Sequence, residues 1–367
     1  MLSSILASIF ASWGHDPTLS SAFSSLARPD LAPARVVSQL GHQVEVVDSS
    51  GVLRLAQPTG RMRHALRADQ LPTVGDWVAI TAAADIEPAI VHHVLPRRTQ
   101  LIRRGAGKRQ DEQVVAANVD TFFIVTSANR DASARRLERY LIAVRDGGAE
   151  PVIVVNKVDL VDGASLAAAL AELAAVAPGV LIAPVSAHSG AGLAELAAYL
   201  APGRTVALIG SSGVGKSSLV NAWLGRDHQP VLPIDDNDRG RHATTRRELF
   251  ALPTGGLVID TPGMRAFGLL ETDAGLDETF ADVAALATGC RFRDCRHRGE
   301  PGCAVDAAID AGDLDPGRLD GMHKLEREVA AAERRRDQAL ARQERLKWKA
   351  INKAQRARYL RDPKSGR

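Results

Sequence analysis

Apolar residues change their spacing along the chain in a way that divides it into three regions. From Ala34 to about Leu95, short apolar runs of β-strand character are separated by turn-forming clusters such as DSSG, QPTG and TVGD. The next region alternates apolar strand segments with amphipathic helical segments, and after Thr272 no strand pattern returns. This order predicts a small β domain, then an α/β domain, then a helical region.

The predicted elements also set the expected domain limits. The runs ARVVSQL, QVEVVD, VLRLAQ and DWVAIT predict a compact β-barrel of the OB type, whose surface suits oligonucleotides. A barrel that only packs against its neighbour is the alternative. The strands DTFFIVTS, PVIVVN, GVLIAPVSA, TVALIG and GGLVID, interleaved with helices, predict a parallel sheet covered on both faces. The expected units are a poorly specified leader with one amphipathic turn or helix at 1–32, the barrel at 33–96, an exposed basic linker at 97–115, the α/β domain at 116–272, a cysteine-containing module at 273–340 and a basic tail at 341–367.

Composition narrows the class of protein. Hydrophobic residues make up 45% and charged residues 24% of the chain, as is typical of a globular protein, and the net charge of +3 is too small to identify a partner. No run approaches the roughly 18 apolar residues of a spanning helix, so a membrane is not an expected partner. All three cysteines lie between positions 290 and 303. Because an odd number cannot pair completely, this cluster favours a metal site in a reducing, cytoplasmic compartment.

A glycine-rich loop between the predicted strand TVALIG and the helical segment SSLVNAWLG has the pattern of a phosphate-binding P-loop. Glycines let the backbone N–H groups curl around phosphate oxygens, which side chains at those positions would obstruct. Lys216 is expected to neutralise the β- and γ-phosphates, and Ser217 to place its hydroxyl on Mg²⁺. A glycine-rich turn arising by chance is the alternative. The expected phosphate contacts are Gly210, Ser211, Ser212, Gly213, Val214, Gly215, Lys216, Ser217 and Ser218.

The motif NKVD after the strand PVIVVN predicts recognition of guanine. Guanine offers two donors, N1–H and the N2 amine, and the two oxygens of Asp159 can accept both, whereas adenine would leave the charge unpaired. Asn156 and Lys157 are expected beside it, with Ser186 and Ala187 of the segment SAH supporting the base. Alone, NKVD is more often a cap or turn; its occurrence with a P-loop predicts GTP as the nucleotide.

A third motif, DTPG, follows the strand GGLVID and completes the expected phosphate site. Asp260 is expected to reach Mg²⁺ through water, and the Gly263 N–H to contact the γ-phosphate. Upstream, the polar loop DDNDRGRHATTRREL is typical of segments that order on the γ-phosphate and relax after hydrolysis. Within it, Thr244 is favoured over Thr245 as the magnesium ligand.

Hydrolysis lacks its usual water-orienting group, because Met264 occupies the position after DTPG where familiar small GTPases carry glutamine. His242, two residues before Thr244, is the best candidate to replace it by position and chemistry. The expected catalytic residues are therefore His242, Lys216 and Thr244. The alternative is that His242 is an ordinary loop residue and that hydrolysis depends on a partner.

Four metal-ligand types lie within fourteen positions: Cys290, Cys295, His297 and Cys303. Three thiolates and an imidazole close a tetrahedral zinc site, leaving no open position for catalysis, so one structural zinc ion is expected. Inert free thiols with a hydrogen-bonded histidine are the alternative. The basic tail beyond Arg342, with Trp348 and Tyr359, is suited to RNA, although a solvated charged helix has the same composition.

The motif order is permuted, because ordinary GTPases begin with the P-loop and end with NKxD. With a β-barrel in front and CRFRDCRHRGEPGCAV behind, the chain resembles the ribosome small-subunit-dependent GTPase A family, circularly permuted GTPases that act in maturation of the small ribosomal subunit. The resemblance spans roughly Ala34 to Arg361. Its most specific elements are NVD at Asn118 to Asp120, NKVDL, GSSGVGKSSLVNAWLG, GRHATTRREL, DTPGMRAFGL and the Cys/His cluster with PGCAV. The chain departs from it at Ala243, where the family usually has a threonine, and over the first thirty residues.

The resemblance implies a multidomain fold: an N-terminal OB-type β-barrel, a central circularly permuted α/β P-loop GTPase domain and a C-terminal α-helical zinc-binding module. It implies GTP at Lys216, Ser217, Asn156 and Asp159, with His242 in hydrolysis. The implied function is late assembly of the small ribosomal subunit, with rRNA as a partner and hydrolysis coupled to release of a monomeric factor. The alternative is a GTP-dependent RNA-binding adaptor with negligible turnover, which Met264 favours; a P-loop kinase leaves NKVD and DTPG without a role.

Overall fold

The computed structural model describes residues 10–83, 87–104, 112–128, 134–225, 247–261, 273–330 and 334. Within these ranges no helix combines the length and the hydropathy needed to cross a membrane. Thirteen strands form one large sheet and a separate hairpin, with helices on the large sheet and at the C-terminal end of the described chain.

The N-terminal domain is a closed five-stranded barrel, as predicted. Its strands pair in the order β1-β2-β3-β5-β4, and β4 returns to pair with β1. The β3–β5 pair is parallel and the others are antiparallel. The strand β5 was missed from the sequence because the run AIVHHV contains two histidines. The strands are β1 (Leu31–Leu40), β2 (Gln43–Asp48), β3 (Leu53–Pro58), β4 (Trp77–Thr81) and β5 (Ala89–Val94), with helix α2 (Gly60–Ala65) between β3 and β4.

The leader is more ordered than its sequence indicated. Helix α1 (Pro17–Ser24) begins after Asp16, whose side chain accepts hydrogen bonds from the N–H groups of Thr18 and Leu19. Leu19 packs in a small core with Phe10, Trp77 and Leu95. The described part of the leader therefore covers one end of the barrel, and β1 begins two residues before the expected domain limit at 33.

The expected basic linker at 97–115 contains two paired strands in its described residues, so the prediction of an exposed linker was wrong for them. Strand β6 (Gln100–Arg104) pairs with β7 (Glu112–Ala117), and Leu101 and Val114 are buried. Arg97, just before the hairpin, forms a buried ion pair with Asp76, with 2.7 Å between Nε and Oδ1. The arginine-rich composition concealed two strands whose apolar residues belong to the core.

The α/β sheet has the strand order β10-β9-β8-β11-β13-β12, and it continues through β12 into β1 of the barrel. All its strands are parallel except β12, which the sequence analysis missed. Phe122 and Ile124 face one core while Phe123 and Val125 face the other, so helices cover both sides as predicted. The elements are β8 (Thr121–Ser127), α3 (Ala134–Asp146), β9 (Glu150–Asn156), α4 (Gly163–Val176), β10 (Ile182–Pro184), a 3₁₀ helix (Leu193–Leu200), β11 (Thr205–Gly210), α5 (Lys216–Leu224), β12 (Glu248–Ala251) and β13 (Leu257–Asp260).

The C-terminal module is helical, as predicted. It contains α6 (Asp273–Thr279), α7 (Ala281–Ala287), α8 (Ala304–Ala311) and α9 (residues 316–330). Phe280 and Val283 belong to the same core cluster as Leu137 and Leu141 of α3. The module therefore packs directly on the α/β domain. The basic tail lies outside the described residues.

A buried arginine occupies each of the two domain junctions. Arg35 of β1 donates to the carbonyl oxygens of Trp13 and Asn118 and, over 3.0 Å, to Thr205 Oγ1. Burial lowers the pKa of Arg35 to about 10. It therefore connects the leader, the barrel and the α/β domain.

Arg318 of α9 is the corresponding residue on the other side. Its Nη1 donates to Glu138 Oε1 of α3 over 2.9 Å, and its Nε donates to Asp282 Oδ2 of α7 over 2.9 Å. The guanidinium also lies over the ring of Phe280, 4.3 Å from its centroid. Through one charge, these contacts connect α7 and α9 of the module to α3 of the α/β domain.

Candidate nucleotide and metal sites

The P-loop joins β11 to α5, as the sequence predicted, and two of its glycines are required by close approach. At Gly210, with φ of 144°, a Cβ atom would lie 2.2 Å from the carbonyl oxygen of Val125. At Gly215, with φ of 97°, it would lie 2.2 Å from Asn156 Nδ2. A side chain at either position would displace a neighbouring strand end, so these glycines fix how the loop meets the sheet.

Lys216 begins α5 and turns back over the loop. Its Nζ donates to the carbonyl oxygen of Gly210 over 3.0 Å and to that of Ser211 over 2.7 Å, and the residue is only 7% exposed. Ser217 follows it in the first turn of α5. A helix N-terminus with exposed backbone N–H groups and an adjacent ammonium is a site that favours phosphate.

Asn156 of NKVD connects that motif to the P-loop and to the SAH segment. Its Nδ2 donates to the carbonyl oxygen of Val214 in the P-loop over 2.9 Å, and its Oδ1 accepts from the N–H of Ala187 over 3.0 Å. Lys157, in the left-handed region with φ of 66°, donates from Nζ to the carbonyl oxygen of Gly213 over 2.7 Å. Asn156 and Lys157 thus brace the loop, which is a role beyond direct nucleotide contact.

A cleft of about 790 Å³ opens between these motifs. Asp159 and Ala187 line it, as expected for a guanine pocket, whereas Ser186 is fully buried and its Oγ accepts from the N–H of Ser189. Ser186 therefore shapes the loop behind the pocket. The lining residues are Asn156, Lys157, Asp159, Leu160, Ala187, His188, Gly215, Ser218, Asn221, Ala222 and Gly225.

Asp260 is placed at the phosphate end of the site. It ends β13, pairs in register with Leu208 of the P-loop strand, and is 1% exposed. Thr261 Oγ1 donates to the carbonyl oxygen of Leu208 and fixes the start of the following segment. His242, Thr244, Thr245, Gly263 and Met264 lie outside the described residues.

Cys290, Cys295, His297 and Cys303 converge as predicted, with one ligand atom from each lying within 4.8 Å of the others. His297 Nδ1 is 3.6 Å from Cys290 Sγ and 3.3 Å from Cys303 Sγ, so Nδ1 is the ring nitrogen turned toward the thiols. The N–H of Ala304 donates to Cys290 Sγ over 3.4 Å. This donor set and compactness fit a four-coordinate metal ion such as zinc.

The thiols differ in acidity. Burial raises the pKa of the Cys303 thiol to about 12, so this thiol is protonated when no metal is bound. Burial also opposes ionisation of Cys290, but backbone N–H groups of Ala304 and Val305 outweigh it and hold the pKa of that thiol below its usual value. Metal binding must therefore displace a proton, at least from Cys303.

The sequence analysis did not identify some residues of the nucleotide site. Leu160 and Asn221 line the cleft, and Arg136 donates from Nη1 to Ser211 Oγ of the P-loop. Leu160 directly follows the guanine motif in NKVDL, and this position was the available sequence signal that it lines the cleft. Arg136 belongs to no motif; only its position at the start of the helix after β8, beside the P-loop strand, could have indicated it.

Comparison with known proteins identifies relatives of the whole chain. The sequence profile of the RsgA GTPase family matches residues 94–270. The small ribosomal subunit biogenesis GTPase RsgA of Opitutus terrae is 47% identical over 361 residues, covering 95% of this chain and 97% of that protein. The protein of the same name from Streptomyces coelicolor is 43% identical, with coverage of 95% and 94%.

Solved structures agree in fold. YjeQ from Thermotoga maritima matches with a TM-score of 0.59 and 29% identity, over 82% of this chain and 99% of that structure. YloQ, described as a circularly permuted GTPase, matches with a TM-score of 0.56 and 25% identity, over 82% and 96%. The motif order, the barrel in front of a GTPase sheet and the extent of these similarities show that the chain belongs to the RsgA GTPase family.

Proposed function

We propose that this protein is a GTP hydrolase that acts as a late assembly factor of the small ribosomal subunit and couples hydrolysis to its own release. The observation that carries the proposal is the pair of Asn156 hydrogen bonds, which bring the guanine motif, its supporting loop and the P-loop to one cleft. The names of the relatives, small ribosomal subunit biogenesis GTPases, support the cellular role.

The nucleotide contacts follow from this arrangement. Asp159 accepts guanine N1–H and N2–H, Ala187 supports the base carbonyl, and the N–H groups of 210–218 hold the phosphates. Mg²⁺ is held by Ser217 and, from the polar loop, Thr244, with Asp260 acting through water; Gly263 donates to the γ-phosphate. Magnesium neutralises charge on the phosphates when bound. His242 orients the attacking water.

Base recognition by Asp159 is tested by Asp159→Asn. An asparagine donates where the carboxylate accepts, so the variant should prefer xanthosine triphosphate, whose C2 carbonyl replaces the guanine amine. The control is Asp162→Asn, an exposed carboxylate that caps α4 through the N–H of Ser165 over 2.8 Å and lies three residues away. Nucleotide affinities are measured by titration. An equal loss of affinity for GTP and for xanthosine triphosphate in Asp159→Asn would contradict this role.

Hydrolysis by His242 is tested by multiple-turnover assays of His242→Ala with and without small subunits. Turnover should fall by about 100-fold or more, as when a general base or an orienting group is lost, while GTP affinity stays the same. An unchanged rate at unchanged affinity would reject His242. Absence of turnover in the unaltered protein under both conditions would favour the adaptor function instead.

The RNA partner is supported by the surface beside the metal site. Four arginines and a phenylalanine are exposed on one short loop: Arg291, Phe292, Arg293, Arg296 and Arg298. Phe292 is 45% exposed, with the Arg291 guanidinium 5.5 Å from its ring centroid. Cations favour phosphates and an exposed ring favours bases, so this loop, the barrel and the tail form the proposed rRNA surface.

Salt dependence tests this surface. Each lost phosphate contact should reduce the slope of log affinity against log salt by about 1. We expect Arg293→Gln with Arg298→Gln, and separately deletion of 342–367, to weaken small-subunit binding and flatten that slope. An unchanged slope would remove the corresponding segment from the interface.

The remaining features of the proposal concern organisation. The Cys/His cluster holds one structural zinc ion, which folds the module at 273–340. The proposed domain limits are 33–96, 116–272 and 341–367, with the barrel extended to include all of β1 and the hairpin β6–β7 lying between the barrel and the α/β domain. The protein acts as a monomer in the cytoplasm, where subunits are assembled.

A further inference from the structure

We propose that Arg136 is a catalytic arginine supplied by the chain itself, which contacts the γ-phosphate of bound GTP and stabilises the charge that develops during hydrolysis. The proposal rests on the proposed GTP hydrolase function and adds a residue that belongs to none of the nucleotide motifs. It follows from where α3 begins relative to the P-loop.

Two cationic side chains meet at Ser211. Lys216 Nζ donates to its carbonyl oxygen over 2.7 Å, and Arg136 Nη1 donates to its Oγ. A P-loop lysine reaches the β- and γ-phosphates, so the group that Arg136 contacts lies at that end of the nucleotide. The contact with Ser211 therefore places the Arg136 guanidinium at the end of the P-loop where Lys216 Nζ lies.

The chain positions Arg136 through the sheet and the helix. The strand β8 pairs with β11 up to Gly210, and α3 follows β8, so its first turn lies beside the P-loop. The next residues are anchored: Glu138 accepts from Arg318 over 2.9 Å, and Arg139 donates to Glu328 over 2.8 Å. The Arg136 side chain itself is exposed, and its guanidinium lies against the P-loop at Ser211. An anchored backbone that holds a guanidinium beside the phosphate loop is suited to stabilising charge as it forms.

The chemistry requires such a cation. In hydrolysis the water oxygen bonds to the γ-phosphorus, the bond from that phosphorus to the bridging oxygen breaks, and its electron pair passes to the β-phosphate of GDP. The protons of the water end on inorganic phosphate and solvent. Negative charge thus shifts toward the β–γ bridge, and an arginine there stabilises the transition state more than the ground state. This contribution is separate from that of His242, which acts on the water.

The test compares Arg136→Ala and Arg136→Lys with a control, Arg204→Ala. Arg204 is an exposed arginine that precedes β11, so it lies at the opposite end of that strand from the P-loop. Single-turnover GTP hydrolysis, GDP affinity and GDP–aluminium fluoride complex formation are measured on the full chain with Mg²⁺.

Arg136→Ala should hydrolyse GTP on the order of 100-fold more slowly, as when a preorganised charge-stabilising donor is lost. It should keep GDP affinity within about twofold and fail to form the aluminium fluoride complex, which mimics the transferring phosphoryl group. Arg136→Lys should be intermediate, because lysine keeps the charge without the planar guanidinium. Arg204→Ala should keep the unaltered rate, because Arg204 lies at the opposite end of β11 from the P-loop.

Two results would overturn the proposal: full-rate hydrolysis by Arg136→Ala, or parallel losses of GDP affinity and rate in that variant. Lys216→Ala separates this from failure of the proposed function. If Lys216→Ala abolishes hydrolysis while Arg136→Ala does not, only the role of Arg136 fails. If the unaltered protein does not hydrolyse GTP even with small subunits, both fail.

Discussion

The two junctions of the α/β domain each contain a buried arginine, but the partners of these arginines differ in kind. Arg35, toward the barrel, donates to two carbonyl oxygens and a hydroxyl. Arg318, toward the C-terminal module, donates to the carboxylates of Glu138 and Asp282. Arg35 is 1% exposed and the Arg318 side chain 3%, so burial alone does not distinguish them.

The difference predicts how each junction fails. Replacing Arg318 removes the cation that pairs with Glu138 and Asp282. The Glu138 side chain is only 4% exposed. Replacing Arg35 leaves only neutral acceptors, two carbonyl oxygens and a hydroxyl. An uncompensated buried charge costs more than an unsatisfied neutral group. The module junction is therefore the more sensitive to a single substitution.

Metal removal should have the largest effect, and it should be confined to the module side. Cys303 belongs to the core cluster that contains Phe280 and Leu319, and its Sγ accepts from the N–H of Asp306 at the start of α8. Structural zinc contributes roughly 10 kcal/mol to folding of small metal modules. A chelator, or Cys303→Ser, should expose 273–330 to proteolysis while the barrel stays protected. The control is Thr288→Ser at the surface; equal protection of the module with and without metal would contradict the prediction.

Arg318→Ala should lower the free energy of unfolding by about 3–5 kcal/mol, because the buried carboxylate of Glu138 loses the cation with which it pairs. Thermal and urea unfolding measure the loss. The triple variant that also carries Glu138→Gln and Asp282→Asn should recover part of it, since no unpaired charge then remains. A triple variant no better than Arg318→Ala would show that packing on Phe280, rather than charge, holds this junction.

Arg35→Met should cost less, about 1–3 kcal/mol, as is typical of unsatisfied neutral hydrogen-bonding groups. Methionine fills most of the volume and leaves no carboxylate without a hydrogen-bonded partner. The same unfolding measurements apply, with Arg54→Met on the barrel as the comparison. Against the effect of burial, the nearby Asp120 carboxylate acts to raise the pKa of Arg35. A loss as large as that of Arg318→Ala would show that this attraction matters as much as a direct ion pair.

Arg139→Ala should have the smallest effect, about 0.2–1 kcal/mol, the range of exposed ion pairs. Its partner Glu328 is 40% exposed and Arg139 itself 31%. Because the same two elements, α3 and α9, are joined by Arg318 and Glu138, this variant is a matched control for the buried pair. A loss above about 2 kcal/mol exceeds the range of exposed ion pairs. It would show that the exposed Arg139–Glu328 pair contributes as much to the junction as its buried contacts do.

The nucleotide and metal sites were predictable because their residues are close in sequence and their spacing fixes the chemistry. The P-loop, NKVD and the Cys/His cluster each lie within fourteen positions, and Asn156 brings the first two together. Arg35 was not predictable, since Asn118 and Thr205 are 83 and 170 residues away. The Arg318–Glu138 pair spans 180 residues. Sequence spacing carries no signal for such contacts.

The errors in the predicted secondary structure also have physical causes. The hairpin β6–β7 was concealed because arginines and other polar residues surround its buried apolar residues, such as Leu101 and Val114, in the sequence. The strand β12 was missed because it has only four residues, Glu248–Ala251, and directly follows a polar loop. Both elements are short and gain their stability from neighbouring strands rather than from intrinsic preference.

The pairing of β12 with the barrel has a consequence for dissecting the protein. Ser38 of β1 is paired with Glu248 of β12, so the two domains share one continuous sheet. Cutting the chain after the barrel would leave the backbone groups of β12 as an open edge, which readily pairs with another molecule. A GTPase fragment prepared in this way should associate with itself, and its kinetics would then describe an aggregate. Only a chain that begins before Leu31 keeps that edge covered.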